Sequence, residues 1–261
     1  MISTHRGLWG PAPENSLAAI SAAGGYDIIE IDTQIARDGV PVVIHDPDLV
    51  RPAGIAMRPR DTDHATLVAQ FLFEGPGGPD ASLSDEQLPT LTDALLAAGP
   101  RAFFDIDVKY PAEIEAVAQM LAQSEQQHMG SLKIDTKTPA DIENLLSLQQ
   151  RFGVMVIAKV VLPNTGLDHI SDLTKAGVAA AEVWFDDLGQ LSEACLIAGN
   201  DMAISTYTLD PVHCCDLSDT RALSDPDVVW GQLLQAGVTI IMTDLAPRLA
   251  TYMSARDCVR H

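Results

Sequence analysis

The segment YDIIEIDTQIARDGVPVVIHD, residues 26–46, contains two apolar runs that are separated by a turn. The first run, Tyr26–Gln34, is rich in β-branched residues and predicts a strand. The second run, Val40–His45, also predicts a strand, but only Ile35–Gly39 separate the two. Because a parallel crossover needs about a dozen residues or more, the second strand is expected to fold back as a hairpin arm through Arg37-Asp38-Gly39.

The rest of the chain alternates short β-branched runs with longer segments rich in alanine and leucine, which is typical of βα units around a parallel sheet. Eight strands are predicted besides the arm: Met1–His5, Tyr26–Gln34, Ala102–Lys109, Ser131–Asp135, Val154–Val161, Ala180–Phe185, Met202–Thr208 and Val238–Thr243. Helices are predicted over Ser16–Ala23, Leu91–Ala98, Ala112–Ser124, Pro139–Arg151, Leu167–Ala176, Leu191–Ala198, Asp227–Ala236 and Ala246–Met253. Eight strands favour a TIM (β/α)8 barrel, and no Gly-x-Gly-x-x-Gly follows the first strand to favour an open doubly wound sheet.

Residues Pro47–Leu88 break this alternation and are rich in proline, glycine and aspartate, including GPGGPD at 75–80. A structureless loop of this length is uncommon in a compact domain unless it serves a site. We therefore expect a single barrel domain over residues 1–261, with 47–88 as an insertion over its C-terminal face that acts as a lid. The alternative is a mobile segment with no part in catalysis.

The composition is acidic, with 16 Lys and Arg against 36 Asp and Glu, a formal charge of −20. Such a charge repels nucleic acids and anionic membrane surfaces, so a small molecule is the expected partner. The cysteines at 195, 214, 215 and 258 contain no Cys-x-x-Cys pair, and reduced thiols are expected. The N-terminal MISTHRGLWG lacks the features of a signal peptide, so a cytoplasmic protein is expected. The oligomeric state stays open.

Acidic residues end two of the predicted strands, and in a barrel reactive side chains collect at strand ends. Glu30 and Asp32 lie on one face of their strand because side chains alternate, and Asp105, Asp107 and Lys109 lie on one face of the next. Three carboxylates without cysteine suit a hard cation, Mg²⁺ or Ca²⁺, with Mn²⁺ as a further candidate. Alternatively, these acids face solvent or pair with Arg and Lys.

Two histidines also end strand segments, His5 on the first strand and His45 on the arm. Histidine titrates in the range that general acid and base catalysis of phosphodiester cleavage requires, although a lone histidine can equally be structural. Arg6 offers a planar fork and Lys109 a point charge for phosphate oxygens, and either can instead pair with an acid. Three further residues are candidates to line a site: Lys159, Trp184 and Tyr207. For the two aromatic residues, packing in the core is the alternative.

Five segments together resemble the glycerophosphodiester phosphodiesterase family. They carry its motifs in order, namely His-Arg-Gly, Pro-Glu-Asn, Glu-x-Asp, His-Asp and a closing Thr-Asp. The resemblance implies a TIM barrel, one divalent cation, and hydrolysis of a phosphodiester to a phosphomonoester and an alcohol. The segments are HRGLWGPAPENSLAAI (5–20), YDIIEIDTQIARDGVPVVIHDPDLVR (26–51), LPTLTDALL (88–96), FDIDVK (104–109) and GVTIIMTDLAPRL (237–249).

By position in the motifs, the resemblance implies that His5 and His45 form the acid/base pair and that Arg6 contacts the phosphate, while which histidine is the acid and which the base stays open. Lys109 matches the lysine of the family's third-strand motif. The implied metal ligands are Glu30, Asp32 and Asp107, and Glu14 matches the glutamate of Pro-Glu-Asn at the edge of the site. Asp105, on the same strand face as Asp107, is a further candidate to line the site. The family usually has Glu where this chain has Asp107, whose shorter side chain requires the cation to lie nearer that strand or to be reached through water.

Three other functions remain open from the sequence. The same chemistry could act on a sugar phosphodiester of the agrocinopine type, which polar strand ends would suit. A non-catalytic barrel that binds a phosphorylated ligand would use Arg6 and Lys109 without needing both histidines. A metal-dependent lyase or aldolase would use the acids to stabilise an enolate and would leave phosphodiesters intact.

Overall fold

The computed structural model describes the backbone of residues 1–259 and the side chains up to Arg256, so Cys258 and His261 lie outside the described side chains. Each of the eight predicted barrel strands and the arm corresponds to an observed strand within a few residues. The strands are β1 (Ile2–Thr4), β2 (Ile28–Ile35), β3 (Pro41–Val43), β4 (Phe71–Phe73), β5 (Leu83–Gln87), β6 (Phe104–Val108), β7 (Gly130–Asp135), β8 (Met155–Val161), β9 (Ala180–Trp184), β10 (Ala203–Tyr207) and β11 (Ile240–Thr243).

Within the described residues, nine strands form one sheet in the order β1-β11-β10-β9-β8-β7-β6-β2-β3, and β1 also pairs with β2. The pairing of β1 with β2 closes the ring of β1, β2 and β6–β11, which is the strand order of a TIM (β/α)8 barrel. The predicted fold class is confirmed. The ninth strand, β3, runs antiparallel to β2, with Thr33 opposite Val43 and Ile35 opposite Pro41. This strand is the predicted hairpin arm.

The helices are α1 (Leu17–Ala22), α2 (Val50–Ala53), α3 (His64–Leu67), α4 (Leu91–Ala97), α5 (Ile114–Gln123), α6 (Pro139–Phe152), α7 (Leu162–Lys175), α8 (Leu188–Ala198), α9 (Asp219–Ser224), α10 (Gln232–Ala236) and α11 (Ala246–Val259). Short 3-10 turns cover Pro59–Asp61, Pro111–Glu113 and Gln127–Met129. No helix in the described part of the chain has the length and apolar character needed to span a bilayer.

Four predicted helices differ from the observed ones by three residues or more. Helix α8 begins at Leu188 rather than Leu191, and α11 continues to Val259 rather than ending at Met253. Helix α7 begins at Leu162 rather than Leu167, because Pro163 fits the first helical turn and the chain continues past a non-helical Gly166. The residues predicted to begin the helix before Gly237 form a π-helical turn, Asp227–Gly231, and only then α10. The short helices α2, α3 and α9 were not predicted.

Helix α6 illustrates how the sequence specifies these elements. The Thr138 hydroxyl accepts from the backbone N–H of Asp141, and the Asp141 carboxylate accepts from the Thr138 backbone, so the first turn has a complete capping box. Pro139 occupies the first turn, where no N–H is needed. The residues Ile142, Leu145 and Leu148 recur at helical spacing and are buried.

The chain divides into two compact units, one formed by Thr4–Leu132 and the other by Met1–Ser3 with the chain from Lys133 onward. The core of the first unit contains Ile29, Ile31, Phe104 and Ile106 from β2 and β6. The core of the second contains Val156, Ala158, Val183 and Ile204 from β8 to β10. The description of the chain as one domain stays a prediction.

The closing Thr-Asp motif has a structural partner within the second unit. Buried Asp219 accepts from the hydroxyls of Thr208 and Thr243, both at 2.5 Å, and from the backbone N–H of Asp244 at 2.8 Å. Burial raises the pKa of Asp219 to about 6, although these three hydrogen bonds act in the opposite direction. The motif thus ties β11 to the first residue of α9 and to Thr208, which directly follows β10.

Residues 47–88 are folded rather than a long irregular loop. They form α2, α3 and the antiparallel pair of β4 and β5. Leucines from this segment are buried with residues of the arm in a small core: Ala36, Val42, Ile44, Leu49, Ala53, Leu67, Leu72 and Leu88. The sequence indicated an insertion and missed its regular structure, because strands of three to five residues carry little periodicity. Its action as a moving lid stays a prediction.

We expect Leu49→Ala to lower the free energy of unfolding by about 2–5 kcal/mol, because Leu49 is fully buried in this small core and truncation leaves a cavity. Urea denaturation followed by circular dichroism measures the change. Leu196→Ala is the matched control, since Leu196 is 80% exposed and its truncation should cost less than about 0.5 kcal/mol. Equal stability of the two variants would show that 47–88 contributes no core.

Candidate active site

Four carboxylates lie on one face of β2 and β6. The strands are parallel, with Glu30 opposite Asp105 and Asp32 opposite Asp107. Glu30, Asp32 and Asp105 are buried and Asp107 is half-buried. Glu30, Asp32 and Asp107 each place a carboxylate oxygen within 4.8 Å of the others. The structure therefore brings together the three acids that the sequence predicted as metal ligands.

Lys109 and Arg6 hold the buried Asp32. Lys109 Nζ lies 2.5 Å from Asp32 Oδ1 and 2.8 Å from Asp107 Oδ2, and Arg6 Nε lies 3.1 Å from Asp32 Oδ2. Burial alone would raise the pKa of Asp32, but the positive charges of Lys109 and Arg6 hold it well below its usual range. Burial likewise disfavours the charged form of Lys109, yet Asp32 and Asp107 raise its pKa. Both partners are therefore ionised.

Asn15 is a site residue that sequence reasoning missed. Its Nδ2 donates to Asp32 Oδ2 at 2.9 Å, and its Oδ1 accepts from the Asp32 backbone N–H at 3.2 Å. Asn15 has a φ of 59°, a left-handed conformation that asparagine tolerates better than most residues. The signal was available, because Asn15 is the last residue of the Pro-Glu-Asn motif.

The His-Arg-Gly motif forms a tight turn after β1. Arg6 has a φ of 56°, and its backbone N–H donates to Glu30 Oε2 at 3.0 Å. Gly7 has a φ of 81°, and a Cβ at this position would lie 2.8 Å from the backbone of Ala19. Only glycine fits such a close approach at positive φ. The turn thus brings the Arg6 side chain against the acids. His5 is the first residue of the turn and is half-buried.

His45 is oriented by the residue that follows it. Nδ1 of His45 lies 2.8 Å from Asp46 Oδ1, and since a carboxylate can only accept, Nδ1 carries the proton. Burial lowers the pKa of His45, and Lys109 and Arg6 lower it further, while Asp32 and Asp46 act in the opposite direction. The imidazole is therefore neutral near pH 7 with the lone pair on Nε2.

Glu14 and Arg51 connect Asp46 to Arg6. Glu14 is buried and accepts from Arg6 Nη1 at 2.8 and 2.9 Å. Arg51 donates to Glu14 at 2.6 Å and to both oxygens of Asp46 at 2.7 Å. The sequence predicted Glu14 at the edge of the site and missed the roles of Asp46 and Arg51, although all three lie within the quoted motifs.

Three predicted lining residues, Lys159, Trp184 and Tyr207, belong to the second unit. Lys159 of β8 is the register partner of Glu182 of β9, and Glu182 accepts from the buried Lys133 at 3.0 Å. Trp184 ends β9 and is half-buried. Burial raises the pKa of Tyr207, which ends β10. A contact of these residues with a substrate stays a prediction.

The acids fit a divalent cation by the chemistry of their donors. Three carboxylate oxygens within 4.8 Å of one another form a hard, anionic donor set of the kind that Mg²⁺ and Ca²⁺ prefer. The Lys109 ammonium already bridges two of the acids, as expected where negative charge is concentrated. Asp107 is close enough to belong to the group despite being one methylene shorter than glutamate.

The fold and this site define a TIM-barrel protein with a carboxylate cluster, two cationic side chains and an oriented histidine after its first strands. The chain belongs to the glycerophosphoryl diester phosphodiesterase family, whose model matches residues 5–147. The model of a domain of unknown function matches residues 131–253. The family that the sequence resembles is thereby confirmed, and with it the assignment to a family of phosphoric diester hydrolases.

Individual relatives agree with this assignment. A glycerophosphodiester phosphodiesterase of Bacillus altitudinis is 30% identical over 165 residues, which cover 54% of this chain and 64% of that protein. The aligned regions span about half the length of the curated relatives that the chain matches. A glycerophosphoryl diester phosphodiesterase from Parabacteroides distasonis has a TM-score of 0.78 at 20% identity, over 98% of this chain and 86% of that one. An Oleispira antarctica phosphodiesterase, solved with its product sn-glycerol-3-phosphate, has a TM-score of 0.70 at 20% identity, over 97% and 96%.

We expect Asn15→Asp to lower the free energy of unfolding by about 1–3 kcal/mol near pH 7, because it replaces a donor to Asp32 with a second carboxylate. The pKa of Asp32 lies below its usual value, and a neighbouring carboxylate raises the pKa of the pair. The difference in free energy of unfolding between Asn15→Asp and the wild type should therefore become smaller as the pH falls toward about 4. Urea denaturation at several pH values measures this trend.

Asn15→Gly is the control for this prediction, since glycine keeps the positive φ and removes both hydrogen bonds without adding charge. Its deficit should not depend on pH in this range. A pH-independent deficit for Asn15→Asp would show that Asn15 does not act through the Asp32 carboxylate.

Proposed function

We propose that the chain hydrolyses a glycerophosphodiester-like small molecule to a phosphomonoester and an alcohol, with the help of one divalent cation. The single observation that carries the proposal is the group formed by Glu30, Asp32 and Asp107 against Arg6 and Lys109, all within one compact unit. The family assignment supports the same chemistry. The Oleispira antarctica relative, which binds sn-glycerol-3-phosphate, favours a glycerol phosphodiester over other phosphodiesters.

The cluster needs a cation before it can receive an anionic substrate. Its carboxylates outnumber its cationic side chains, so a phosphodiester that approaches the acids meets excess negative charge. When bound by Glu30, Asp32 and Asp107, a divalent cation would supply positive charge against the non-bridging oxygens of the phosphoryl group. Arg6 would add a planar fork and Lys109 a point charge for the same oxygens. Together these groups would stabilise the charge that develops in an in-line displacement.

The two histidines would move the protons. His45 is neutral near pH 7 and presents Nε2 as an acceptor, the state that a general base requires. It would take a proton from the nucleophile, either water or a neighbouring hydroxyl of the substrate. In the second case the displacement gives a cyclic phosphodiester, which water must then open to the phosphomonoester. His5, which adjoins the phosphate-binding Arg6, would donate a proton to the leaving oxygen. Each transfer is worth about 10²–10⁴-fold, so the cation and substrate positioning must supply the rest.

We propose a cytoplasmic protein with one barrel domain, which binds neither nucleic acid nor membrane. The formal charge of −20 supports this, because it opposes binding to polyanions. We also propose that residues 47–88 cover the site as a lid.

We expect His5→Ala and His45→Ala each to lower kcat by about 10²–10⁴-fold on sn-glycero-3-phosphocholine with Mg²⁺ present, because each removes one proton transfer. Release of the phosphomonoester measures turnover, and a sugar phosphodiester assayed in parallel tests the alternative substrate. His64→Ala is the matched control, since His64 forms a surface pair of similar geometry with Asp38, at 2.6 Å. Full activity of either test variant contradicts two-histidine catalysis.

We expect chelation to abolish turnover, and Mg²⁺, Ca²⁺ or Mn²⁺ to restore it and to raise the melting temperature of the chelated protein. A ligand at a hundred times its Kd stabilises the fold by about 2.7 kcal/mol. Asp107→Asn should weaken the shift, whereas Asp85→Asn, at an exposed position of β5, should preserve it. Metal binding without turnover of any diester would indicate the non-catalytic barrel. Turnover that survives chelation would contradict the metal-dependent mechanism.

A further inference from the structure

The guanidinium of Arg51 contacts two acids at once. Nε donates to Asp46 Oδ2 at 2.7 Å, and Nη2 donates to Asp46 Oδ1 at 2.7 Å and to Glu14 Oε1 at 2.6 Å. The third nitrogen, Nη1, donates to the carbonyl of Pro76. All three nitrogens are engaged, and only an arginine fork provides a bidentate contact to one carboxylate together with a contact to a second.

Each of these two acids also accepts a hydrogen bond from a residue of the proposed mechanism. Asp46 accepts from Nδ1 of His45, the proposed base. Glu14 accepts from Nη1 of Arg6, the proposed phosphate contact. Arg51 therefore contacts the proton-transfer group and the phosphate-binding group each through one intervening acid.

The backbone around His45 is fixed without Arg51. Buried Gln34 donates through Nε2 to the carbonyls of His45 at 3.2 Å and of Asp46 at 2.6 Å. The side chain of Asp46 is a separate matter, since its ion pairs within the described structure are those with His45 and Arg51. Loss of the Arg51 guanidinium would free the carboxylate to rotate while the backbone stayed in place.

Arg51 itself is anchored by the glycine-rich loop at 75–78. The backbone N–H of Gly78 donates to the Arg51 carbonyl at 2.8 Å, and the Gly75 carbonyl accepts from the backbone N–H of Glu14 at 2.9 Å. Gly77 has a φ of 76°, and a Cβ there would collide with the Arg51 carbonyl. The Gly78 contact involves the backbone of Arg51 and the Gly75 contact the backbone of Glu14, so both survive replacement of the Arg51 side chain, and only the side-chain contact to Pro76 is lost.

We propose that Arg51 is a positioning residue for the phosphodiesterase reaction: it holds Asp46 behind His45 and Glu14 behind Arg6, and so couples the orientation of the proton-transfer group to that of the phosphate contact. The inference rests on the proposed function. It gives the segment 47–88 a role in catalysis through one side chain, whether or not the segment moves.

The test compares Arg51→Met, Arg51→Lys and Arg51→Ala on sn-glycero-3-phosphocholine with Mg²⁺. Arg51→Met and Arg51→Lys should lower kcat/KM by about 10–100-fold, mainly through kcat, as is typical when a group behind a functional residue is removed. Lysine fails because an ammonium cannot form the bidentate contact. Methylguanidinium added to Arg51→Ala should restore at least part of the lost kcat, a rescue that a general loss of folding would not permit.

Arg37→Met is the matched control. Arg37 forms the same type of fork with Asp63, Nε to Oδ1 at 2.9 Å and Nη2 to Oδ2 at 2.7 Å, on the exposed surface. Its replacement should leave kcat and KM at wild-type values. In a His45→Ala background, Arg51→Met should cost much less than in the wild type, because the residue through which it acts is missing.

Wild-type kcat and KM in Arg51→Met and Arg51→Lys overturn the inference, as does a loss that is fully additive with His45→Ala. Absence of turnover in the wild type is a failure of the proposed function instead. In that case the imidazole resonances of ¹⁵N-labelled protein decide the positioning claim without an assay. We expect the Nδ1–H signal of His45 to weaken or shift in Arg51→Met. A signal that is unchanged from the wild type would contradict the claim.

Discussion

The site depends on one buried carboxylate, that of Asp32. An isolated charge at this depth would carry a desolvation cost of several kcal/mol, which close opposite charge and hydrogen bonds must offset. Lys109, Arg6 and Asn15 provide them from three different places in the chain: the end of β6, the turn after β1 and the Pro-Glu-Asn segment. Each of the three offsets part of this cost, and Asp32 thereby connects short motifs that are far apart in the sequence.

The same constraint explains why the backbone is unusual around Arg6. A non-glycine residue at positive φ costs energy, and here two consecutive residues, Arg6 and Gly7, adopt it. The turn brings the Arg6 side chain to Asp32 while its backbone N–H donates to Glu30. The local strain is thus offset by two contacts to the acids, and the conformation serves the site rather than the continuity of the strand.

The sequence predicted the features that depend on local pattern and missed those that depend on tertiary contact. Strand periodicity located all eight barrel strands, and the short spacing after β2 identified the β3 hairpin. Alternation along β2 and β6 also placed Glu30, Asp32 and Asp107 on one face. No local pattern indicates that Arg51 bridges Asp46 and Glu14, because the two acids are 32 residues apart in the numbering and meet only through the folded segment 47–88.

Comparable pairs elsewhere in the chain show why distance alone does not identify a functional group. His64 lies 2.6 Å from Asp38 and His45 lies 2.8 Å from Asp46, and the two imidazole side chains are almost equally exposed, at 39% and 38%. The two pairs differ in the other hydrogen bonds that each carboxylate accepts. Asp38 also accepts a hydrogen bond from the backbone N–H of His64 itself. Asp46, in contrast, accepts from Arg51, and Arg51 also donates to buried Glu14, which accepts from Arg6. An isolated surface pair is weak and screened by salt, while a connected one restricts each member through the next. Because the connection ends at the acids of β2, His45 acquires a fixed orientation relative to the proposed cation, and His64 has none.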